Sequence, residues 1–486
     1  LIHFRSISRV LGILLLIEAG MLLLCAIIPL LMHEQDFFAF TASALITICT
    51  GGILVTIGKK KGKAELLSRR DGYVIVSLSW IMFSLCGCLP FIISGVLTGF
   101  TDAFFETMAG FTTTGVTVIG NMDSMPHGIL FWRSLTEWIG GLGIVFFTVV
   151  VLPVFGVGHV QLFAAETTGP TRSRPSPRIS VSGRWILAVY ILMTIACAMA
   201  LKICGLSIFD SVNYALSTLA TGGGYTRAGG VAGLDSIPAE VVIMFFMFAA
   251  GINFNLLYMT IFRLKLRDLG RDEEFRWYMG SVIIIAVVIS IGLVNWTDMG
   301  PGESFRHAAF QTISIITTTG FTTTDYNLWP LPLAMVLGLS MYLGACAGST
   351  SCAMKSIRSL VLFKIMRNEF RRILHPSAVL PVRVNGKVLS DSSKQSILSF
   401  SVIFIGLIFV SWLIFMFMGL DMDSSYGFAL ASICNVGVGP GGAGMSVPWN
   451  VLSIGGKWFA SLLMFVGRLE IFAVLILLSP SFWKRS

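Results

Sequence analysis

Four short stretches of this chain end at a glycine with a hydroxyl-bearing or amide residue one or two positions before it, at matched spacing. Counted thirteen residues back from a glycine, Asp102–Gly115 reads DAFFETMAGFTTTG, Asp210–Gly223 reads DSVNYALSTLATGG, His307–Gly320 reads HAAFQTISIITTTG and Ser424–Gly437 reads SSYGFALASICNVG. The four align without gaps. Each is an apolar helical stretch of roughly ten residues, too short to cross a hydrocarbon core about 30 Å thick. The pattern predicts re-entrant helices that stop partway through a bilayer. Irregular backbone survives at that depth only when it is buried in protein or lines a wet cavity.

The chemistry such ends can do is cation coordination. A dehydrated monovalent cation needs several oxygens at once to replace its water, and rings of backbone carbonyls supply them without fixed charge, so the ion can enter and still leave. Turning successive carbonyls inward needs backbone dihedrals that glycine adopts at no steric cost. Threonine adds a compact neighbour with a further oxygen. The partly negative C-terminal end of each short helix points the same way. A single Thr-Thr-Thr-Gly reads as an ordinary helix C-cap. Four at one spacing, each between two apolar spans, read as a four-fold pore built from one chain.

The elements that must position these ends are spanning helices. The 486 residues are 55% hydrophobic and 12% charged, with mean hydropathy +0.83. Such a composition excludes a soluble globule and places the chain among multi-span helical membrane proteins. The net charge of +9 does not point to nucleic acid, because the basic residues sit in short loops between apolar runs. Nine cysteines and six histidines are scattered without metal-site or disulfide spacing. The first apolar run is long and has no small-residue cleavage site, so it is expected to stay in the protein.

Two apolar runs, about 9–32 and 37–57, form an N-terminal hairpin (1–58) joined by His33-Glu34-Gln35-Asp36. Four units of spanning helix, re-entrant helix and spanning helix follow, over 73–155, 183–262, 277–363 and 395–482. The second spans of the units are expected at about 128–153, 237–262, 330–363 and 451–480. Basic loops separate the units: Lys59, Lys60, Lys61, Lys63, Arg69 and Arg70; Arg172, Arg174, Arg178 and Arg184; Arg263 to Arg276; Lys364 to Lys394; and Lys484-Arg485. All but six of the 34 Lys and Arg (Arg133, Lys202, Arg227, Arg306, Lys457 and Arg468) fall on one side if every unit is span, re-entrant helix, span. That side is cytoplasmic by the positive-inside rule, and both termini lie there. If the short helices crossed fully, the orientation would invert at each repeat and the bias would scatter. Asp102, Glu106, Asp210, Asp298, Glu303, Asp325, Asp421 and Asp423 gather on the other face. They are read either as loop solvation or as a negative vestibule that concentrates cations.

With these repeats in hand, the chain resembles the Trk/Ktr/HKT superfamily of potassium transport proteins over essentially its whole length. The extra N-terminal hairpin makes it similar to the TrkH-type membrane subunit rather than the shorter KtrB type. The resemblance implies an all-α polytopic fold, with four tandem spanning helix–pore helix–spanning helix repeats arranged pseudo-fourfold around a pore. It implies a homodimer with one pore per protomer in the bacterial inner membrane, and a cytoplasmic TrkA-type ring of regulatory subunits through which a nucleotide (ATP/ADP or NAD) acts. By that pattern potassium is bound by Thr113, Thr114 and Gly115; Thr221, Gly222 and Gly223; Thr318, Thr319 and Gly320; and Asn435, Val436 and Gly437. Glycine at all four positions fits potassium, whereas members with serine in the first loop tend toward sodium. Gly224 departs from the pattern, where an aromatic often follows the second filter glycine, and Val436-Gly437-Val438-Gly439-Pro440 is a less regular fourth loop.

Two features are expected below the filter. Gly344-Ala345-Cys346-Ala347-Gly348-Ser349-Thr350-Ser351 interrupts a long apolar run. Its small residues either let helices pack closely or mark a broken helix whose unwound middle lies across the pore. The resemblance implies the latter, an intramembrane gating loop, stiffened here by Ser351-Cys352-Ala353 where the family continues with glycines. Arg468 is a charge inside the last apolar run, and an intramembrane charge is a functional-site hypothesis by default. It either pairs with Glu470 or snorkels, or it faces the pore under the filter or beside the loop, where it limits ion occupancy electrostatically or bonds the loop's carbonyls and holds it closed. Lys355 and Arg358 are read as marking a helix end near the interface.

The rival reading is a secondary transporter coupling potassium to protons or sodium. Such carriers show inverted repeats and midplane titratable groups, whereas these repeats share one orientation. A membrane enzyme would need a nucleophile with its base or a metal constellation, and no such motif stands in the sequence. A membrane scaffold would have no use for four matching loops.

Overall fold

Backbone N–H and C=O groups in lipid must be satisfied within the segment, so apolar runs of this length become helices. The computed structural model describes residues 2–59, 68–146, 179–444 and 449–484, and it is almost entirely helical there. The basic positions Lys60, Lys61 and Lys63, Arg172, Arg174 and Arg178, Arg485, and the end of the first unit beyond residue 146 lie outside the described residues. Among the described residues, six helices are long and apolar enough to cross a membrane, or up to eight if two bent pairs are each one span.

The N-terminal hairpin consists of Phe4–Cys25 with its short continuation Ile27–Met32, packed against Phe37–Ile57. Each unit then contributes a first span, at Arg69–Gly87, Ile179–Ile203, Glu273–Trp296 and Asp391–Phe417. A pore helix follows in each, at Phe100–Phe111, Ile208–Ala220, Pro301–Ile316 and Met422–Cys434. Toward their C-terminal ends these short helices are buried almost completely, as helices that end inside a bundle must be. Ser207 and Asp421 cap the second and fourth by accepting from Asp210 N–H and Ser424 N–H.

The second spans differ from unbroken helices in all four units: in the first, His127–Phe146 is kinked at Gly143, whose φ of 26° and ψ of −100° are not helical. In the second unit, Ile237–Ala250 and Phe254–Arg263 meet at 107°, with Asn253 capping the new helix through Asn255 N–H. In the third, Leu331–Ser340 and Ser356–Leu374 flank a non-helical stretch, 341–355, wider than the interruption read from sequence. In the fourth, Ile454–Arg468 and Phe472–Leu478 meet at 117°, with left-handed backbone at Glu470 and Ile471. The runs 237–262 and 451–480 are therefore broken rather than continuous. Hydropathy marks how long a run is, not whether its backbone bonds are kept. The basic stretch 364–394 also folds locally: Arg383–Val384 pairs with Lys387–Val388 across an Asn385-Gly386 turn, both turn residues having positive φ.

Candidate functional site

The four pore helices end alike. The N–H groups of Thr113, Thr221, Thr318 and Asn435 bond to carbonyls three residues back, and those of Thr114, Gly222, Thr319 and Val436 to carbonyls five back, at 2.8–3.3 Å. This is the Schellman arrangement, which satisfies the orphan carbonyls of a helix end. It puts its left-handed residue at Thr113, Thr221, Thr318 and Asn435, with φ of 54°, 53°, 58° and 53°. Left-handed threonines are sterically costly, at about 1–3 kcal/mol each, and such strain gathers at functional sites. Two residues later Gly115, Gly223, Gly320 and Gly437 are left-handed again, with φ from 70° to 83°. The left-handed turns two residues apart swing neighbouring carbonyls to one side of the strand.

The glycines close a ring. A Cβ built on Gly115 would stand 1.8 Å from the carbonyl oxygen of Gly222, one on Gly223 2.0 Å from that of Thr319, one on Gly320 1.9 Å from that of Val436, and one on Gly437 2.0 Å from that of Thr114. Each loop thus touches the next in chain order, and the fourth returns to the first. No side chain fits at any of the four positions. The twelve filter positions read from sequence are brought together here, and on one face of the ring a cavity of about 260 Å³ opens, lined by Thr114, Gly115, Gly223, Gly320, Gly437 and Tyr225 among others.

None of the eight acidic residues read as a vestibule lines this cavity. Asp102 pairs with Lys457, Glu106 with Arg133 and Asp210 with Arg227, each at 2.6 Å. Three of the basic residues that break the sidedness rule are thus neutralised on the acidic face, and a fourth, Arg306, lies 3.4 Å from Glu240. The cavity is thus lined by loop backbone and uncharged side chains, not by a ring of carboxylates.

The stretch 341–355 is fastened on several sides. Cys346 N–H donates to the Gly251 carbonyl at 3.0 Å, Asn253 Nδ2 to the Ala347 carbonyl at 2.7 Å, and Phe254 N–H to the Gly348 carbonyl at 3.0 Å. Ala347 N–H donates to Glu274 Oε1 at 2.5 Å, and Ser356 Oγ to the Gly344 carbonyl at 2.8 Å. Two bonds reach the filter: Thr221 Oγ1 to Thr350 Oγ1 at 3.3 Å, and Cys352 N–H to Thr318 Oγ1 at 2.9 Å. Ala345 and Cys346 are fully buried, and Ser349 Oγ turns back onto the Cys346 carbonyl. The loop therefore sits directly against the second and third filter loops, while the matching atoms Thr113 Oγ1 and Asn435 Oδ1 are buried with no hydrogen-bond partner.

Arg468 is the last residue of its helix, at the break, not inside a continuous span. Its Nη1 donates to the Thr350 carbonyl at 2.9 Å and lies 3.0 Å from Cys352 Sγ, and its Nη2 bonds the Gly140 carbonyl. Glu470 does not take Arg468. It bridges to Lys355 Nζ at 3.0 Å and Arg358 Nη2 at 2.5 Å, and Arg358 lies 3.9 Å from the Phe400 ring centre. Lys355 and Arg358 do stand at a helix end, as the N-cap and first turn of Ser356–Leu374, and through Glu470 they lock the two broken helices together.

Sequence reading passed over Gly251, Asn253, Glu274 and the buried carboxylates Glu18 and Glu137 as site residues. Asn253 after Gly251 is a helix stop followed by an N-cap, a signal that hydropathy had masked. The carboxylates announce themselves only by their partners, or by lacking them. Glu18 is buried with neither oxygen bonded, and Glu137 accepts from the second filter loop.

Comparison with known proteins agrees with this architecture. The sequence matches the family described as TrkH, a cation transport protein, over residues 36–485. It is 36% identical to the Trk system potassium uptake protein TrkH of Salmonella typhimurium over 99% of this chain and 100% of that protein. Identity to the protein of the same name from Escherichia coli is 35%, with the same coverage. The crystal structure of the potassium transporter TrkH from Vibrio parahaemolyticus superposes with a TM-score of 0.90 at 33% identity, covering 99% of this chain and 100% of that one. By repeat structure, sequence and superposition alike, the chain belongs to the TrkH family of cation transport proteins.

Proposed function

We propose that this chain carries potassium into the cell across the bacterial inner membrane, through a channel-like pore with its termini on the cytoplasmic side. The observation that carries the reading is the closed ring of four glycines, each packed against the carbonyl of the next loop. A bare potassium ion exchanges its water for the oxygens of Thr113–Gly115, Thr221–Gly223, Thr318–Gly320 and Asn435–Gly437, and leaves because none of these carries fixed charge. The potassium uptake named for relatives at 35–36% identity points to the same ion.

The gate is the stretch Gly344–Thr350, held beneath the filter by Arg468. Opening withdraws Thr350 and Cys352 from Thr221 and Thr318 and releases the carbonyl that Arg468 holds. Two protomers assemble as a homodimer amid membrane lipid. A cytoplasmic TrkA-type ring, reading ATP/ADP or NAD, biases the loop from the cytoplasmic side, where the basic loops lie.

Reconstitution in potassium-loaded liposomes tests this. The expected result is flux down the electrochemical gradient with a reversal potential that tracks potassium alone, raised by the regulatory subunit. A reversal potential that follows the proton or sodium gradient would replace the channel reading with the coupled-transporter alternative.

A further inference from the structure

The filter is fourfold in its backbone but not in what stands behind it. After the filter glycine the first, third and fourth loops carry Val116, Phe321 and Val438, all buried, whereas the second carries Gly224. Gly224 is not left-handed, so backbone conformation does not require a glycine there. Space does. A Cβ on Gly224 would stand 2.2 Å from Glu137 Oε1, and one on Gly222 would stand 2.4 Å from Glu137 Oε2. Glu137, buried on the helix His127–Phe146, fills the volume that a side chain of the loop itself fills elsewhere.

The carboxylate is also bonded into the loop. Its Oε2 accepts from Gly224 N–H at 3.1 Å and from Ser217 Oγ at 2.5 Å. Ser217 lies six residues before its filter glycine. Ser314, its counterpart in the third loop, bonds the Phe321 carbonyl directly at 2.6 Å. The second loop makes the same brace from pore helix to filter exit, lengthened by the carboxylate of Glu137. Arg133, one turn earlier on the same helix, is taken up by Glu106 and the Tyr225 carbonyl, so the arginine braces the outer end of this loop.

We propose that Glu137 is a specificity-positioning residue for ion passage: it stands in for the side chain missing at 224 and holds the Gly222 carbonyl in the ring. The inference rests on reading the four loops as a potassium filter. It concerns the spacing of oxygens, because the Gly222 carbonyl is the one against which Gly115 closes the ring at 1.8 Å from a built Cβ.

Reversal potentials of the reconstituted protein under opposed potassium and sodium gradients test it. Glu137→Ala is expected to lower the potassium-to-sodium permeability ratio by about tenfold, the factor equivalent to one lost charge-assisted hydrogen bond. Glu137→Gln keeps both the volume and the bonds, and should hold the ratio within about twofold. Gly224→Val should lower it, and the double variant Glu137→Ala with Gly224→Val, which gives the second loop the residue that positions 116 and 438 carry, should recover most of it. A folded Glu137→Ala protein with the unaltered ratio, or a double variant no better than Gly224→Val alone, overturns the proposal. If Glu137→Ala does not fold, Glu137→Asp decides in the same way, with a drop of about threefold expected and no drop overturning it. Absence of potassium-selective flux in the unsubstituted protein would instead sink the filter reading, and this inference with it.

Discussion

Arg468 Nη1 donates to the carbonyl oxygen of Thr350 at 2.9 Å, joining the break in the last helix to the loop beneath the filter, 118 residues away in sequence. The same guanidinium reaches the Gly140 carbonyl, so one side chain ties three units together. A hydrogen bond from a charged donor is worth about 1.5–3 kcal/mol, a factor of roughly ten to a hundred in an equilibrium. Arg468→Ala is therefore expected to raise potassium flux by about tenfold or more, with Arg468→Lys between the two. Unchanged flux in a folded alanine variant would remove Arg468 from the gate.

The filter glycines allow a harsher test. Gly320→Ser places a Cβ 1.9 Å from the Val436 carbonyl at a φ of 83°. The ring must spread or the loop must turn over. Potassium flux should fall at least about a hundredfold, as expected when ligating atoms shift by about an ångström. Retention of potassium-selective flux would show that the ring does not carry the ion.

Glu470 stands between Lys355 and Arg358, and Arg358 is buried. Breaking a buried ion pair by removing one partner is destabilising, by about 3–5 kcal/mol. Glu470→Gln should lower the unfolding temperature in detergent clearly, while the exposed pair Glu369–Arg372 should tolerate Glu369→Gln with almost no shift. Equal shifts in the two variants would contradict the account of Glu470 as a helix lock.

Asp36, in the link between the hairpin helices, is buried with no hydrogen-bond partner for either oxygen. Burial, with Glu34 adding repulsion, raises its pKa above the ordinary 3.8. A carboxyl raised in the folded state binds its proton more tightly there than in the unfolded chain. Its favourable contribution is complete below 3.8 and is lost as pH climbs through the raised value. Asp36→Asn should therefore stabilise the protein at neutral pH and lose that advantage as the medium is acidified. Thermal unfolding of the two proteins across pH checks this, and an advantage that grows toward acid would refute it.

Local signals were enough for much of the architecture. Re-entrant helices and their matched glycines are written in short windows, because a helix end, a left-handed residue and a hydrophobic span are each decided by a few neighbouring residues. Even the strained threonines follow locally, since Thr113, Thr221 and Thr318 are what a Schellman cap meets when its glycine is displaced by two positions. The breaks at Asn253 and Glu470 were half-legible. Their stop signals lay inside runs whose hydropathy said span, and backbone bonding, which hydropathy does not register, decided otherwise.

Partnership was the part only the tertiary structure decided. Glu106 and Asp210 read as vestibule charges until Arg133 and Arg227 were found against them, and Lys355 and Arg358 read as interface markers until Glu470 was found between them. Gly224 read as a lapse in a repeat, whereas Glu137, 87 residues away, fills its place. A charge or a glycine states a requirement in sequence, and in a low-dielectric interior that requirement is met by whichever distant atom the fold brings within about 3 Å.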